Sequence, residues 1–193
     1  MRVHNLRKRA PLIVANDMRV EANKMRWSCF AHRAGFQATP AVNRQAITRK
    51  DIDMQEERNK KAIREFTRIF KNEHNVDGVD HLFDTKKFVH HFRSPLSAGF
   101  EGMKQVGRMM NGAFPDVVVT EDDLIASGDR VVERSAAVAT HRGSMTGEKP
   151  TNQRIAWSEI HIYRLQDGKI VEHWAEIAMM ELLQQVGVLP LLG

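Results

Sequence analysis

Residues 157–164 place side chains that can exchange protons at every second position of a strand-like segment. Because side chains alternate between the two faces of a strand, one face carries Trp157, Glu159, His161 and Tyr163. Glutamate and histidine can accept and pass protons, and aromatic rings can wall an apolar cavity, so this face has the parts that acid–base catalysis needs. The same alternation is typical of an amphipathic strand that meets solvent or a partner subunit, and both interpretations stay open.

The next strand-like segment, residues 169–177, offers a second candidate carboxyl. Alternation places Glu172, Trp174 and Glu176 on one face of it. We expect Trp174 to form part of the core or of a cavity wall. Glu176 in apolar surroundings would have a raised pKa, which suits a carboxyl that transfers protons, whereas at a solvated strand end it would be an ordinary carboxylate.

Other signatures of catalysis or cofactor binding are missing from the sequence. It contains no phosphate-binding loop, no dinucleotide fingerprint and no nucleophile elbow. The single cysteine, Cys29, excludes a multi-cysteine zinc site, and no two of the nine histidines flank a glutamate at helical i, i+4 spacing. We therefore expect neither a metal ion nor a cofactor.

Predicted helices precede predicted strands along the chain. A capping box at Asp53 and Glu56 predicts a helix to about Asn72. Apolar side chains at helical spacing predict another helix from Gly99 to Phe114, and Phe114 is a candidate for the wall of a pocket. Alternating, β-branched segments then predict strands at residues 117–120, 124–126, 130–141, 154–165 and 169–177. Segregated elements of this kind indicate an α+β fold, in which a strongly curved antiparallel sheet capped by the N-terminal helices encloses a pocket.

Charge divides the chain into two parts. The net charge is +5, but residues 1–50 hold 11 Lys or Arg against two Asp or Glu, which leaves residues 51–193 mildly acidic. We interpret residues 1–50 as a basic N-terminal extension: an arm on the body or on a partner subunit, an organelle-targeting segment, or an anion or nucleic-acid contact. Residues 51–193 form the folded domain, whose acidic balance makes nucleic acid an unexpected partner.

The apolar runs and the cysteine count bear on the compartment. No run approaches the ~18 apolar residues of a membrane span, so we expect no membrane partner. A single cysteine cannot form an internal disulfide, and a reducing cytoplasm is the simplest location.

Short motifs from about Arg58 to Gly187 follow one another in an order known from one family. They are Phe88-Val89-His90-His91, Gly99-Phe100-Glu101-Gly102, Ala113-Phe114-Pro115-Asp116, Ser127-Gly128-Asp129-Arg130-Val131-Val132, Ala139-Thr140-His141-Arg142-Gly143, Lys149-Pro150-Thr151, Tyr163-Arg164-Leu165, Asp167-Gly168-Lys169-Ile170-Val171-Glu172-His173-Trp174 and Leu182-Leu183-Gln184-Gln185-Val186-Gly187. Taken together, they resemble the SnoaL-like polyketide cyclases, also called ester cyclases, of the nuclear transport factor 2-like superfamily. Residues 1–50 have no counterpart in the usual family domain.

The resemblance implies an α+β cone, with a curved antiparallel sheet around helices and a deep apolar pocket. Founding members close a polyketide ring by intramolecular aldol condensation without metal or cofactor, and a pocket aspartate moves the proton. The family's histidine falls on His91, which the resemblance marks as a hydrogen-bond donor or proton relay. The family's aspartate position is Ala178, four residues after Trp174. Alanine cannot transfer a proton, so this position is left as a substrate-binding candidate.

Two functions are consistent with these features. The first is a cofactor-independent cyclase, isomerase or lyase that acts on a hydrophobic, oxygenated small molecule, with His91, Glu159, His161 and Glu176 as candidates for proton transfer and Trp157, Trp174, Tyr163 and Phe114 for binding. The second is a non-catalytic ligand-binding or dimerisation module that has lost the family aspartate. The resemblance also implies a homodimer that pairs through the outer face of the sheet.

Overall fold

A computed structural model describes residues 48–91, 99–145 and 147–190, and the basic N-terminal extension lies outside these ranges apart from its last three residues. Within them the chain forms three α-helices and five strands: α1 (Arg49–Phe66), β1 (Val89–His90), α2 (Gly99–Ala113), β2 (Val118–Ser127), β3 (Arg130–Thr140), β4 (Arg154–Gln166), β5 (Lys169–Ile177) and α3 (Met179–Gln185). A π-helical turn, Thr67–Asn72, continues α1, and a 3-10 turn, Asp80–Leu82, follows it. None of the helices in the described part of the chain is both long and apolar enough to cross a membrane.

Helix α1 begins before the residue that the sequence pattern predicted. Thr48 is its N-cap: the Thr48 hydroxyl accepts a hydrogen bond from the backbone N–H of Asp51 at 3.2 Å, and the Asp51 carboxylate accepts one from the backbone N–H of Thr48 at 3.0 Å. The prediction of Asp53 as N-cap is therefore wrong. Asp53 lies inside the first turns of the helix, where its carboxylate pairs with Arg49.

The five strands form one mixed sheet in the order β1-β5-β4-β3-β2. Strands β2 to β5 are an antiparallel meander, as predicted, and the edge strand β1 pairs with β5 in the parallel direction. Two clusters of apolar side chains pack on the inner face of this sheet. One joins α1 and the start of α2 to Val131 and Tyr163, and the other joins the end of α2 and α3 to Trp157. The α+β class is therefore confirmed.

An irregularity in the hairpin between β4 and β5 determines which side chains share a face. Next to the turn, Leu165 pairs with Ile170, but the register shifts between Arg164 and Leu165, so that Tyr163 pairs with His173. Paired residues of neighbouring strands point to the same side of a sheet. His173 is therefore on the inner face with Tyr163.

Candidate active site

The inner face of β4 carries the four side chains that alternate in the sequence. Trp157, Glu159, His161 and Tyr163 are all buried, whereas Ile160 between them is 47% exposed on the outer face. Of the two interpretations open to this segment, the structure supports the interior one. Burial of a glutamate and a histidine needs compensating partners, since an unpaired buried charge is strongly disfavoured.

A cavity lies where the two apolar clusters meet, between α2 and the inner face of the sheet. The volume in which a water-sized sphere can be centred is about 100 Å³, and the empty space between the walls is about 710 Å³ when the open solvent at the mouth is counted. Most of its wall is apolar, from aromatic, methionine and aliphatic side chains such as Phe66, Phe70, Met103, Met110 and Trp157. The polar part of the wall consists of Lys71, His90, Asn111, Glu159, His161 and His173.

Lys71 reaches the cavity because the end of α1 is a π-helical turn. The turn is marked by the hydrogen bond from the backbone N–H of Glu73 to the carbonyl of Arg68, five residues back. A π-turn contains more residues than an α-turn, so it rotates the side chains that follow relative to a continuing α-helix. The side chain of Lys71 is only 12% exposed as a result, on the same side as the buried Thr67.

One ammonium and two carboxylates meet beside the cavity, whose wall includes Lys71 and Glu159. Nζ of Lys71 lies 3.0 Å from Oε2 of Glu159 and 3.5 Å from Oε2 of Glu133, a buried residue on β3. Glu133 also accepts hydrogen bonds from Oγ1 of Thr67 at 2.7 Å and from the hydroxyl of Tyr163 at 3.1 Å. Nε1 of Trp157 donates to Oε1 of Glu159 at 2.7 Å.

These contacts determine the charge state of Glu159 and Lys71. Burial works against the ionised carboxyl of Glu159, but Lys71, His161 and Trp157 outweigh it and hold the pKa of Glu159 well below its usual range. Burial likewise works against the charge on Lys71, but Glu159 and Glu133 raise the pKa of the lysine. The pair is therefore an ion pair, and the carboxyl in the cavity wall differs from the raised-pKa carboxyl that the sequence led us to expect at Glu176.

A chain of three histidines continues from this ion pair. Nε2 of His161 lies 2.8 Å from Oε2 of Glu159 and 2.9 Å from Nζ of Lys71. Nδ1 of His161 lies 3.0 Å from Nε2 of His173, and the ring of His173 stacks between those of Tyr163 and His90 at centroid distances of 4.7 and 5.1 Å.

The histidine rings are kept neutral by their surroundings. Burial lowers the pKa of His161, and Lys71 adds to the effect. Burial and the neighbouring rings of His161 and His90 hold the pKa of His173 well below its usual value. Burial lowers the pKa of His90 to about 4. At neutral pH each ring therefore carries one proton, on one nitrogen or the other.

Glu176, Trp174 and His91 lie away from the cavity. The register shift in the β4–β5 hairpin turns Glu176 and Trp174 to the outer face, where Glu176 is exposed. His91 follows β1 on the same outer side: its ring stacks on Trp174 at 4.4 Å, and its Nε2 is 3.1 Å from Oε2 of Glu172. None of these three side chains lines the cavity. For Glu176 and Trp174 the reason is that a one-residue change of register reverses the face of the strand, whereas His91 follows His90, whose side chain faces the cavity, and therefore points the other way.

The three remaining predicted residues lie near the cavity without lining it. Tyr163 is fully buried behind His173, and the proximity of Glu133 adds to burial in raising the pKa of its hydroxyl well above the usual value. Phe114 is fully buried behind Trp157, with the two ring centroids 5.2 Å apart. Ala178 follows the last residue of β5 as the N-cap of α3.

Lys71 and His173 belong to the site but were not predicted from the sequence. The spacing of the apolar residues in α1 gives no sign of a π-turn, so the sequence alone would place Lys71 in solvent at the end of a helix. His173 sits on a strand neighbouring that of His161, and only the register of β4 against β5 brings their rings together. The signal that could have identified His173 is its pairing with Tyr163, and that pairing depends on where the register of β4 against β5 shifts.

Comparisons with known proteins agree with this architecture. Residues 61–186 match the family profile described as SnoaL-like polyketide cyclase. A search of curated protein sequences gives no match. Among solved structures, the chain is similar to AclR of Streptomyces galilaeus, a candidate hydroxylase, with 29% identity and a TM-score of 0.65 over 72% of this chain and 86% of that one.

Two further solved structures are described as candidate polyketide cyclases. The chain is 26% identical to IdmH of Streptomyces antibioticus, with a TM-score of 0.58 over 67% of this chain and 98% of that one. It is 25% identical to a protein of Acidithiobacillus ferrooxidans, with a TM-score of 0.59 over 67% of this chain and 94% of that one. The similarity thus extends over nearly the whole of each of these proteins.

Proposed function

The chain belongs to the SnoaL-like polyketide cyclase family, and on that basis we propose that it is a cofactor-independent enzyme. It binds a hydrophobic, oxygenated small molecule in the cavity and moves a proton at a carbon next to a carbonyl group, as a cyclase, isomerase or lyase does. Glu159 and His161 carry the acid–base chemistry in this proposal, and Trp157 walls the site.

The observation that carries the proposal is the polar chain in the wall of an otherwise apolar cavity. Glu159 and His161 lie within hydrogen-bonding distance of each other, and the ion pair with Lys71 keeps Glu159 ionised. A carboxylate that holds a neutral histidine stabilises the imidazolium that forms when the histidine takes a proton. A water-poor wall strengthens this interaction.

Deuterium exchange at the α-carbon of α-tetralone, an uncharged bicyclic ketone, tests the proposal without knowledge of the natural substrate. Followed by NMR in D₂O, the wild-type protein should accelerate exchange well above the buffer rate. Glu159→Gln should reduce that rate by about 10²-fold or more, the usual contribution of a positioned acid–base group. Glu121→Gln, which alters a glutamate paired with Arg64 away from the cavity, is the matched control. A wild-type rate equal to that of the buffer would reject the proposal.

The alternative, a ligand-binding module without catalysis, is favoured by one observation. The family's aspartate position is Ala178, which offers no group for proton transfer. Saturable binding of α-tetralone, measured by calorimetry, with no acceleration of its exchange would support this alternative.

We also propose that the protein is a homodimer that pairs through the outer face of the sheet. The register places Ile125, Val132, Ile162 and Trp174 in one row across β2, β3, β4 and β5. Ile125 is 62% exposed, and the other three side chains are partly exposed. A continuous apolar row on an open face fits a second copy of the same surface, related by a twofold axis.

Light scattering at micromolar concentration tests the homodimer. The wild-type protein should have twice the mass of one chain, and Ile162→Glu should convert it to a monomer by burying charge in the row. Ile52→Glu, at an exposed apolar position on α1, should leave the dimer intact. A wild-type monomer would contradict the proposal.

A further inference from the structure

Asn111 is a polar side chain on the helical wall of the cavity, opposite the sheet that carries Glu159 and His161. It lies in the last turn of α2, and Met103 and Gly107, which also line the cavity, precede it by two turns and one turn of the helix. Residues spaced in this way share one face of a helix. A single carboxamide therefore interrupts an apolar helical face in the cavity wall.

The backbone carbonyl of His74 determines the orientation of this carboxamide. Nδ2 of Asn111 lies 3.3 Å from the carbonyl oxygen, and that oxygen can only accept a hydrogen bond, so the NH₂ end of the amide faces His74. The imidazole of His74 donates in turn from Nε2 to the carbonyl of Val117 at 3.2 Å, which fixes the residue in its place. His74 is not part of the cavity wall. The Oδ1 end of the amide is thus the end that remains for the cavity.

Oδ1 of Asn111 is an acceptor that a ligand can reach. It receives no hydrogen bond from the part of the chain that the structure describes, and its residue is half-buried. Within the same part of the chain, two side-chain polar atoms are both cut off from solvent and without a hydrogen-bond partner, namely Oγ of Ser135 and Nδ1 of His173. Oδ1 of Asn111 is not one of them, so it is accessible.

The polar groups on the sheet side of the cavity are engaged with one another. The ammonium of Lys71 lies 3.0 Å from Oε2 of Glu159 and 2.9 Å from Nε2 of His161. The other ring nitrogen of His161, Nδ1, lies 3.0 Å from Nε2 of His173. These contacts hold the acid–base groups in place, so the task of anchoring a polar group of the ligand falls to a different residue.

We propose that Asn111 selects the ligand, through a hydrogen bond that its Oδ1 accepts from a hydroxyl group of the ligand. The hydroxyl lies at the helical wall, and the carbonyl group with its α-carbon lies toward Glu159 and His161 at the sheet wall. This inference rests on the part of the proposed function that places a ligand in the cavity. It adds that a ligand with a hydrogen-bond donor is preferred to one that can only accept.

The apolar surroundings of Asn111 explain why the donor matters. An acceptor in such a wall bonds to water when the cavity holds no ligand. A ligand without a donor displaces that water and leaves Oδ1 unpaired among apolar side chains, which lowers its affinity. A ligand hydroxyl replaces the lost hydrogen bond, and a bond of this kind strengthens binding about three- to tenfold.

Calorimetric binding of α-tetralone and of its 5-hydroxy, 6-hydroxy and 7-hydroxy derivatives to the full-length protein tests the proposal. At least one hydroxylated isomer should bind about three- to tenfold more tightly than α-tetralone. Asn111→Leu, which keeps the size of the side chain, should abolish that gain. Asn75→Leu, at an exposed asparagine outside the wall, should retain it. Equal affinities of the four ligands for the wild-type protein, or a gain that persists in Asn111→Leu, would overturn the proposal.

NMR of the Asn111 carboxamide gives a second readout that needs no variant. Its Cγ resonance, assigned through the backbone of the wild-type protein, should move downfield with the tightest hydroxylated isomer, because a hydrogen bond to Oδ1 polarises the C=O bond. It should move less with α-tetralone, which has no donor. Equal shifts with the two ligands would overturn the proposal even if Asn111→Leu does not fold.

Exchange at the α-carbon separates this inference from the proposed function. A gain from the hydroxyl without accelerated exchange would reject the enzyme and support Asn111 as the selecting residue. Accelerated exchange of α-tetralone without a gain from the hydroxyl would overturn the role of Asn111 and leave the proposed function standing. Absence of binding by all four ligands would overturn both.

Discussion

The ammonium of Lys71 lies 3.0 Å from Oε2 of Glu159, and their side chains are only 12% and 7% exposed. A buried cation at this distance keeps the carboxyl of Glu159 ionised, so this glutamate is not a carboxyl of raised pKa such as the sequence suggested at Glu176. Glu159 is consequently an anion that lies 2.8 Å from Nε2 of His161, and we propose that this histidine exchanges the proton.

Removal of the cation should destabilise the protein strongly. Lys71→Met leaves Glu133 and Glu159 buried without a positive partner, and loss of one member of a buried pair costs about 3–5 kcal/mol. We expect a decrease of that size in the free energy of unfolding, measured with urea at pH 7. Lys87→Met, which removes an exposed lysine paired with Asp84, should change it by less than about 1 kcal/mol. A loss below about 1 kcal/mol in Lys71→Met would show that the buried pair contributes little.

The neutral histidines should make the fold sensitive to mild acid. The pKa of His90 in the folded protein is about 4, below its unfolded value of 6.5, and burial also lowers those of His161 and His173. The unfolded chain therefore binds protons that the folded chain does not, and stability present above pH 6.5 is lost as the pH falls toward 4.

Urea unfolding at several pH values between about 7 and 5 measures this loss, which amounts to at most about 1.4 kcal/mol per pH unit for each proton. His90→Gln should give a shallower slope, because one neutral ring is removed. His81→Gln, at an exposed histidine, should keep the wild-type slope. Equal slopes in His90→Gln and the wild type would contradict the assignment of His90.

The close approach of α2 to Phe70 should depend on Gly107. A Cβ atom at this position would lie 2.4 Å from Cζ of Phe70, so Gly107→Ala must displace a ring of the cavity wall. We expect a loss of about 1–3 kcal/mol in stability and weaker binding of α-tetralone. Gly112→Ala, in the same helix with no atom within 4 Å of the added Cβ, should raise stability by up to about 1 kcal/mol. Similar behaviour of the two variants would show that the ring can move freely.

The outer face should be dispensable for proton transfer. His91→Ala and Glu176→Gln alter side chains on the side of the sheet opposite the cavity. Each should leave α-tetralone exchange within about twofold of the wild type, because surface substitutions away from a site change free energies by about 0.5 kcal/mol or less. A large loss in either variant would return that residue to the catalytic step.

The position of the bulge in the β4–β5 hairpin explains why the site expected from the sequence included Glu176, which lies on the outer face. Without a bulge, the pairing of Leu165 with Ile170 would continue to Glu159 opposite Glu176, and both carboxyls would face the cavity. The extra residue in β5 instead pairs Tyr163 with His173. A β-bulge of this kind reverses the faces of all residues beyond it, and neither the extra residue, Val171, nor the residues next to it in the chain are glycine or proline, which would indicate one.

The sequence by itself determined the order of helices and strands, the family, and the face shared by Trp157, Glu159, His161 and Tyr163, because alternation and motif order are local properties of the chain. Only the tertiary structure decided that Lys71 is buried against Glu159 and that His173 continues the chain from His161. The first placement accompanies a π-turn whose side chains bond to residues 66 to 90 positions away, and the second depends on the register between two strands, so neither is a local property of the chain.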